Sequence, residues 1–365
     1  MDTIDWDNAF DSVFGIPDSP LLSNAVEYDK LFFQPTDGQT QPRYYRDPPP
    51  QVLTPPASES GSVSGGEDTA PESDAQESTV VSVSTTFHPS AGLLPISPDL
   101  VLVSSDDVHF YAHTTQVLAA SANHFDNIVP PQADQVRVAP DKTGDGRNNN
   151  ILARVADAAA VLNVVLHCVY GLSCAQYKPA LGTLVAAVDA MPAYGLSPEH
   201  FVSPSTPLYA LILAQAPVQP LTTYALAARH DLHALAQAVS SHLLAFPVHA
   251  IPDDVARQIG ARYLQRLYAL HAARVRTLKE LLPPAPHPHP PTAACDFAAQ
   301  RKLTRAWTLA AAYLAWEAHP DVSPSAIESA LAPLADHLPC ELCKQSLAAR
   351  IRQLLVQWSF VKRTI

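Results

Sequence analysis

The strongest hydrophobic pattern in the chain lies between residues 98 and 129 and predicts a β-hairpin followed by a helix. Asp99 to Ser105 is rich in β-branched and apolar residues, and Val108 to His113 alternates apolar with polar positions. The polar stretch from Ser105 to Asp107 supplies turn residues between these two strands. A helical pattern begins directly afterwards, where Thr114 or Thr115 could cap the first turn by accepting a backbone N–H.

One face of that helix is apolar and needs a packing partner. Its residues follow the three-and-four spacing of an amphipathic helix: Val117, Leu118, Ser121, Phe125 and Ile128. More of the chain, or another chain, must therefore cover this face.

Downstream, the pattern is helical. Residues 156–170 and 180–194 are apolar runs that end at Gly171 and Gly195, as helices with left-handed caps do. Beyond residue 200 the helical segments are 208–215, 221–246, 252–282, 301–317, 325–337 and 340–365. A short third strand is expected at 136–139, and none is expected after about residue 140. The fold class is therefore α+β, with a short mixed sheet flanked by helices and an all-α C-terminal extension.

Several of these residues resemble the opening of a BTB/POZ domain. The matching positions are Asp99, Leu100, Leu102, Phe110 and His113, then Leu118, Ser121 and Phe125. The segments LNVVLHCVYG (162–171) and LVAAVDAMPAYGL (184–196) resemble the two helices that follow in that family. The whole layout is similar to BTB proteins common in mushroom-forming (basidiomycete) fungi.

The resemblance implies a non-enzymatic protein–protein interaction and self-association module. In that family the dimer surface is built from the first helices and the segment before the first strand, here 80–94 and 117–128. The implied dimer or partner interface is therefore the face of Val117, Leu118, Ser121, Phe125 and Ile128. We expect a homodimer that binds other proteins, and no small-molecule substrate.

Two uses of such a module compete. A cullin ubiquitin-ligase substrate adaptor often carries a hydrophobic-x-Glu triplet after the first helix, but no Glu lies between Ile128 and Val138, and Thr114 stands where Lys is usual. A transcription-linked scaffold would suit the N-terminus, where aromatic residues such as Trp6 and Phe10 alternate with aspartates.

Composition divides the chain at about residue 91. Residues 1–91 form an acidic, Pro- and Ser-rich tail that is predicted to be disordered; residues 92–200 form the BTB/POZ-like domain and 201–365 the helical domain. Residues 1–80 hold 15 acidic and three basic residues, while 81–365 hold 20 of each. A neutral folded part argues against direct nucleic-acid binding. The chain shows no membrane-spanning run and no secretory signal, so an intracellular protein, cytoplasmic or nuclear, is expected.

The familiar enzyme motifs are missing, and no catalytic residues are predicted. Five cysteines at irregular spacing indicate a reducing compartment. Cys340-x-x-Cys343, with His337 before it and His287, His289 and Cys295 upstream, has the residue types of a zinc site. Three interpretations stay open: reduced packed thiols without a cofactor, a structural zinc, and a redox pair or disulfide. A metal-assisted enzyme in the helical half is the alternative from another class.

Overall fold

The computed structural model describes residues 81–129 and 151–365, which form a small mixed sheet followed by helices. The acidic tail up to residue 80, with its predicted disorder, and the predicted strand at 136–139 lie outside the described residues. The α+β class and the helical C-terminal half are confirmed at this level. No helix among the described residues is long and apolar enough to cross a membrane.

Within residues 81–129 and 151–365, four short strands make up the sheet. They are β1 (Ser82–Val83), β2 (Leu100–Val103), β3 (Val108–Ala112) and β4 (Ile151–Arg154), arranged in the order β1-β3-β2-β4. The predicted hairpin is the antiparallel pair β2 and β3, while β1 runs parallel to β3 and β4 parallel to β2. All four residues of central β2 are buried, as expected for a strand covered on both faces.

Strand β4 contradicts our expectation that no strand follows residue 140. Its sequence is only ILAR, and its alternation of half-buried and exposed positions is two periods long. Such a short run cannot be distinguished from loop by periodicity. Its pairing with β2, from Leu100 with Ile151 to Val103 with Arg154, is what makes it a strand.

Helices account for most of the remaining structure. In the first half they are α1 (Thr114–Ala120), α2 (Ala159–Val169), α3 (Leu181–Ala190), α4 (Pro198–Phe201), α5 (Pro207–Leu213), α6 (Pro220–Arg229) and α7 (His233–Ser240). In the second half they are α8 (Asp253–Leu281), α9 (Phe297–Trp316), α10 (Pro324–Leu331) and α11 (Glu341–Ser359). Helix α8 is interrupted at Gly260, where φ is 72°.

Helix α1 is shorter than the pattern predicts, because side chains at its end capture backbone donors. Oγ of Ser121 accepts the N–H of Phe125 at 2.7 Å, and Oδ1 of Asn123 accepts the N–H of Asp126 at 3.0 Å. The four residues from His124 to Asn127 all have φ between 54° and 59°. A left-handed turn of non-glycine residues costs roughly 1–2 kcal/mol per residue, so the surrounding contacts must hold it.

Those contacts come from the end of the α3 segment. Oγ of Ser121 donates to the carbonyl of Tyr194 at 2.7 Å, and the amide of Asn123 donates to the carbonyl of Ala193 at 2.7 Å. The N–H of Ala122 donates to the carbonyl of Gly195 at 2.9 Å. Phe125 stacks on the ring of Tyr194, with centroids 4.3 Å apart. Ser121 and the Tyr194-Gly195 step, which both belong to the motifs that resemble BTB/POZ domains, therefore contact each other.

The other motif positions also have structural roles. The carboxylate of Asp99 accepts the N–H of Thr114 at 2.7 Å, so Asp99, rather than Thr114 or Thr115, satisfies the first turn of α1. His113 lies between Tyr170 and the carbonyl of Ile96: Nδ1 contacts the Tyr170 hydroxyl at 2.8 Å and Nε2 contacts the carbonyl at 3.0 Å. A carbonyl only accepts, so the ring proton is on Nε2 and the Tyr170 hydroxyl donates to Nδ1.

One hydrophobic cluster runs from Phe87 to Leu267, across residue 200. The domain limits predicted at residues 91 and 200 stay predictions. A further set of buried residues lies on the second half of α8 and on α9 to α11, including Leu278, Trp307 and Leu354.

The predicted interface face is largely used inside the monomer. Val117 and Phe125 are both 0% exposed and belong to the cluster. The hydroxyl of Ser121 donates a hydrogen bond to the carbonyl of Tyr194, so this side chain also contacts the same chain. Leu118, Ser121 and Ile128 are half-buried, so only Leu118 and Ile128 offer partly exposed apolar surface. A dimer surface at this place cannot use Val117 or Phe125 unless the domain opens.

Candidate metal centre

Three cysteines and one histidine meet at the start of α11. They are His289 from the Pro-rich segment, Cys295 just before α9, and Cys340 and Cys343 at the N-terminal end of α11. One ligand atom of each lies within 4.8 Å of the other three. Cys295 and Cys343 are buried, and the other two are half-buried.

Three of the six separations between the ligand atoms match those of a tetrahedral site, and the other three are no longer than 4.8 Å. Sγ of Cys295 lies 3.7 Å from Sγ of Cys343, and Nε2 of His289 lies 3.4 Å from Sγ of both Cys340 and Cys343. Metal bonds of about 2.3 Å to sulfur and about 2.0–2.1 Å to nitrogen give tetrahedral edges of roughly 3.8 Å and 3.5 Å. A disulfide would need sulfurs at about 2.05 Å, and all five cysteines of the chain are free thiols.

Local structure brings these residues together. Thr292 and Cys295 exchange two backbone hydrogen bonds in a tight turn, which brings the chain back after the prolines. The Asp296 carboxylate then caps α9 by accepting the N–H of Ala299 at 2.8 Å. Cys340 is itself the N-cap residue of α11. The N-terminus of α11 therefore lies at the centre, where it would stabilise the negative charge of thiolates bound to a metal.

The thiols differ in acidity. The backbone N–H of Cys343 donates to the sulfur of Cys340 and lowers the pKa of that thiol to about 7. Burial raises the pKa of Cys343 to about 12 and also raises the pKa of Cys295. Buried thiols in an apolar setting resist ionisation, and a bound cation would reverse that preference by coordinating the thiolates.

His289 is in the tautomer that a metal requires. Its Nδ1 lies 2.7 Å from the carbonyl of Pro290, and since a carbonyl only accepts, Nδ1 carries the proton. Nε2 therefore presents its lone pair towards Cys340 and Cys343. A backbone acceptor on the second ring nitrogen is the usual outer contact of a metal-binding histidine.

The structure brings together three of the four residues that the sequence analysis named as metal ligands. Cys295, Cys340 and Cys343 meet, and the histidine beside them is His289 instead of His337. His337 ends the 3-10 turn Ala332–His337. His287 does not join either; its carbonyl accepts from Oγ of Ser346. Proximity in sequence favoured His337, whereas the stiff Pro-His-Pro-His segment folds back over α11 and supplies the ligand.

Comparison with known proteins identifies no relative. No protein-family model, no curated protein and no solved structure matches the chain. The chemistry of the centre is therefore argued from its donor set. Three thiols and one imidazole nitrogen at tetrahedral separation could bind a metal such as zinc.

Proposed function

We propose that the protein is a non-enzymatic interaction scaffold whose helical half is held together by a structural zinc ion. The observation that carries this proposal is the complete set of four protein ligands at His289, Cys295, Cys340 and Cys343. Catalytic zinc sites keep one coordination position open for water or substrate, whereas structural sites are closed by four protein ligands. A closed site favours the structural role over the metal-assisted enzyme.

The zinc would connect segments that the sequence separates. It would join the Pro-rich segment, the start of α9 and the start of α11. Such a cross-link contributes folding free energy directly, since the ligand set exists only in the folded chain. An intracellular, reducing compartment would keep the thiols available for the metal.

For the first half of the chain we propose self-association of the BTB/POZ type. The supporting features are the hairpin β2–β3, helix α1 and parallel strand β4 in one sheet, together with the contacts of Asp99, His113 and Ser121. The homodimer and the binding of other proteins follow from that resemblance. The cullin-adaptor and transcription-linked uses remain two forms of the same scaffold proposal.

The metal part is tested by elemental analysis of the purified full chain under reducing conditions. We expect one zinc per chain, lost in Cys340→Ser and retained in Cys168→Ala, because Cys168 lies outside the cluster. Folded wild-type protein that takes up no zinc would disprove it. Self-association is tested separately by light scattering across a dilution series, where a monomer at every concentration would disprove the dimer.

A further inference from the structure

The Pro-rich segment 283–291 has the sequence of a polyproline II helix and is attached to α11 by hydrogen bonds. Its sequence is PPAPHPHPP, so six of its nine residues have φ fixed near −65°. The residues that precede a proline are restricted to extended conformations as well. The segment is therefore confined to polyproline II geometry, a helix of three residues per turn with three edges.

Exposure follows these three edges. Residues 283, 286 and 289 form the first edge: Pro283 at its start is exposed, Pro286 is buried, and His289 is half-buried where it joins the metal centre. Residues 284, 287 and 290 form the second edge, and all three are exposed. On the third edge Pro288 and Pro291 are exposed and Ala285 is half-buried. One edge thus faces the protein and two face solvent.

Helix α11 fixes the segment at successive points. Nε of Arg350 donates to the carbonyl of Pro284 at 2.7 Å, and its Nη2 donates to the carbonyl of Leu281. Oγ of Ser346, one turn earlier, donates to the carbonyl of His287. Cys343 and Cys340 then contact His289. The segment therefore runs antiparallel along α11, and the metal centre is its last attachment.

We propose that the two exposed edges form a docking surface for a partner domain with an aromatic-lined groove that reads polyproline II, the chemistry of SH3, WW and EVH1 domains. Such grooves recognise proline-rich ligands whose extended conformation is already formed. Here the ligand is held in that conformation before binding, so little ordering entropy opposes association. The metal centre, as proposed above, makes this surface metal-dependent.

The test screens the full-length protein, loaded with zinc, against an array of isolated SH3, WW and EVH1 domains. We expect at least one domain to bind, and its affinity to fall at least about tenfold in a Pro288→Ala, Pro291→Ala double variant. Both substituted positions are exposed and leave all four metal ligands in place. Pro217→Ala, an exposed proline outside the segment, is the matched control and should bind as the wild type does.

Each outcome decides the proposal. Absence of binding to every domain, or equal affinity of the double variant and the wild type, overturns it. For a domain that binds, chelation of the zinc should weaken the interaction at least about tenfold. Binding that depends on Pro288 and Pro291 but not on zinc would refute the coupling to the metal centre and keep the docking surface. If the purified protein takes up no zinc at all and still binds through Pro288 and Pro291, the proposed zinc site is refuted and the docking surface stands.

Discussion

Replacement of Gly195 by alanine should destabilise the protein far more than the same replacement at Gly171. Both glycines have left-handed backbones, with φ of 68° and 65°. A Cβ on Gly195 would lie 2.7 Å from the backbone nitrogen of Asn123 and even closer to its side chain, whereas a Cβ on Gly171 meets nothing within 4 Å. Comparing the two alanine variants therefore separates the cost of a left-handed backbone from the cost of the steric clash.

The magnitude follows from the contacts. Alanine in the left-handed region costs roughly 1–2 kcal/mol at either position. At Gly195 the clash also displaces Asn123, which threatens the bonds from its amide to Ala193 and from Ala122 to Gly195. Each is worth about 1 kcal/mol. We therefore expect a loss of about 3–4 kcal/mol for Gly195→Ala and about 1–2 kcal/mol for Gly171→Ala.

Urea unfolding of both variants, followed by circular dichroism at 222 nm, measures these losses. The slope of free energy against urea should stay the same in both variants, so that the midpoints report stability. Equal losses at the two positions would show that the contact between the α1 turn and the Tyr194-Gly195 step does not hold the left-handed turn, and would refute the argument.

Three further predictions test other parts of the structure. If the chain dimerises through the α1 region, Leu118→Asp should yield a folded monomer by light scattering, whereas Phe125→Ala should lose about 3–5 kcal/mol of stability because Phe125 is 0% exposed; a folded Phe125→Ala monomer would reverse this assignment. Burial lowers the pKa of His167 and of His271 in the folded protein, so the unfolded chain takes up protons at a higher pH than the folded protein does. The free energy of unfolding should therefore be constant above about pH 6.5 and fall as the pH drops below that value. Urea midpoints at pH 7 and pH 5.5 check the sign, and a His167→Gln, His271→Gln double variant with an unchanged pH dependence would contradict it. Cys340→Ser should lower the melting temperature and make it insensitive to chelator, whereas Cys168→Ala should keep the chelator response of the wild type; a wild type insensitive to chelator would contradict the metal's role.

Local patterns predicted most of the elements, and long-range contacts decided the rest. The hairpin could be predicted because polar turn residues separate two apolar runs. The left-handed Gly171 follows the end of α2 as predicted, whereas Gly195 is left-handed but lies beyond α3, which ends at Ala190. The end of α1 could not be predicted, because the apolar spacing continues to Ile128 whereas the side chains of Ser121 and Asn123 accept backbone N–H groups and end the helix. Phe125 therefore enters the core from a left-handed turn, not from a continued helix as its spacing from Val117 predicts.

The candidate metal centre shows the same limit. Cys340-x-x-Cys343 was recognisable as a pair of potential ligands, and Cys295 was a reasonable third. The position of His289 depends on the Pro-rich segment folding back along α11, and that path is set by Arg350 and Ser346, which no local pattern connects to His289. Strand β4 was missed for a related reason, since only its partner β2 defines it.

X-ray absorption spectroscopy at the zinc edge, on the full chain purified under reducing conditions, tests the central claim most directly. A closed centre made by Cys295, Cys340, Cys343 and His289 predicts three sulfur neighbours at about 2.3 Å and one nitrogen at about 2.0–2.1 Å. It also predicts one zinc per chain. A folded protein without zinc, or a spectrum with two sulfurs and a water oxygen in the first shell, would contradict the claim.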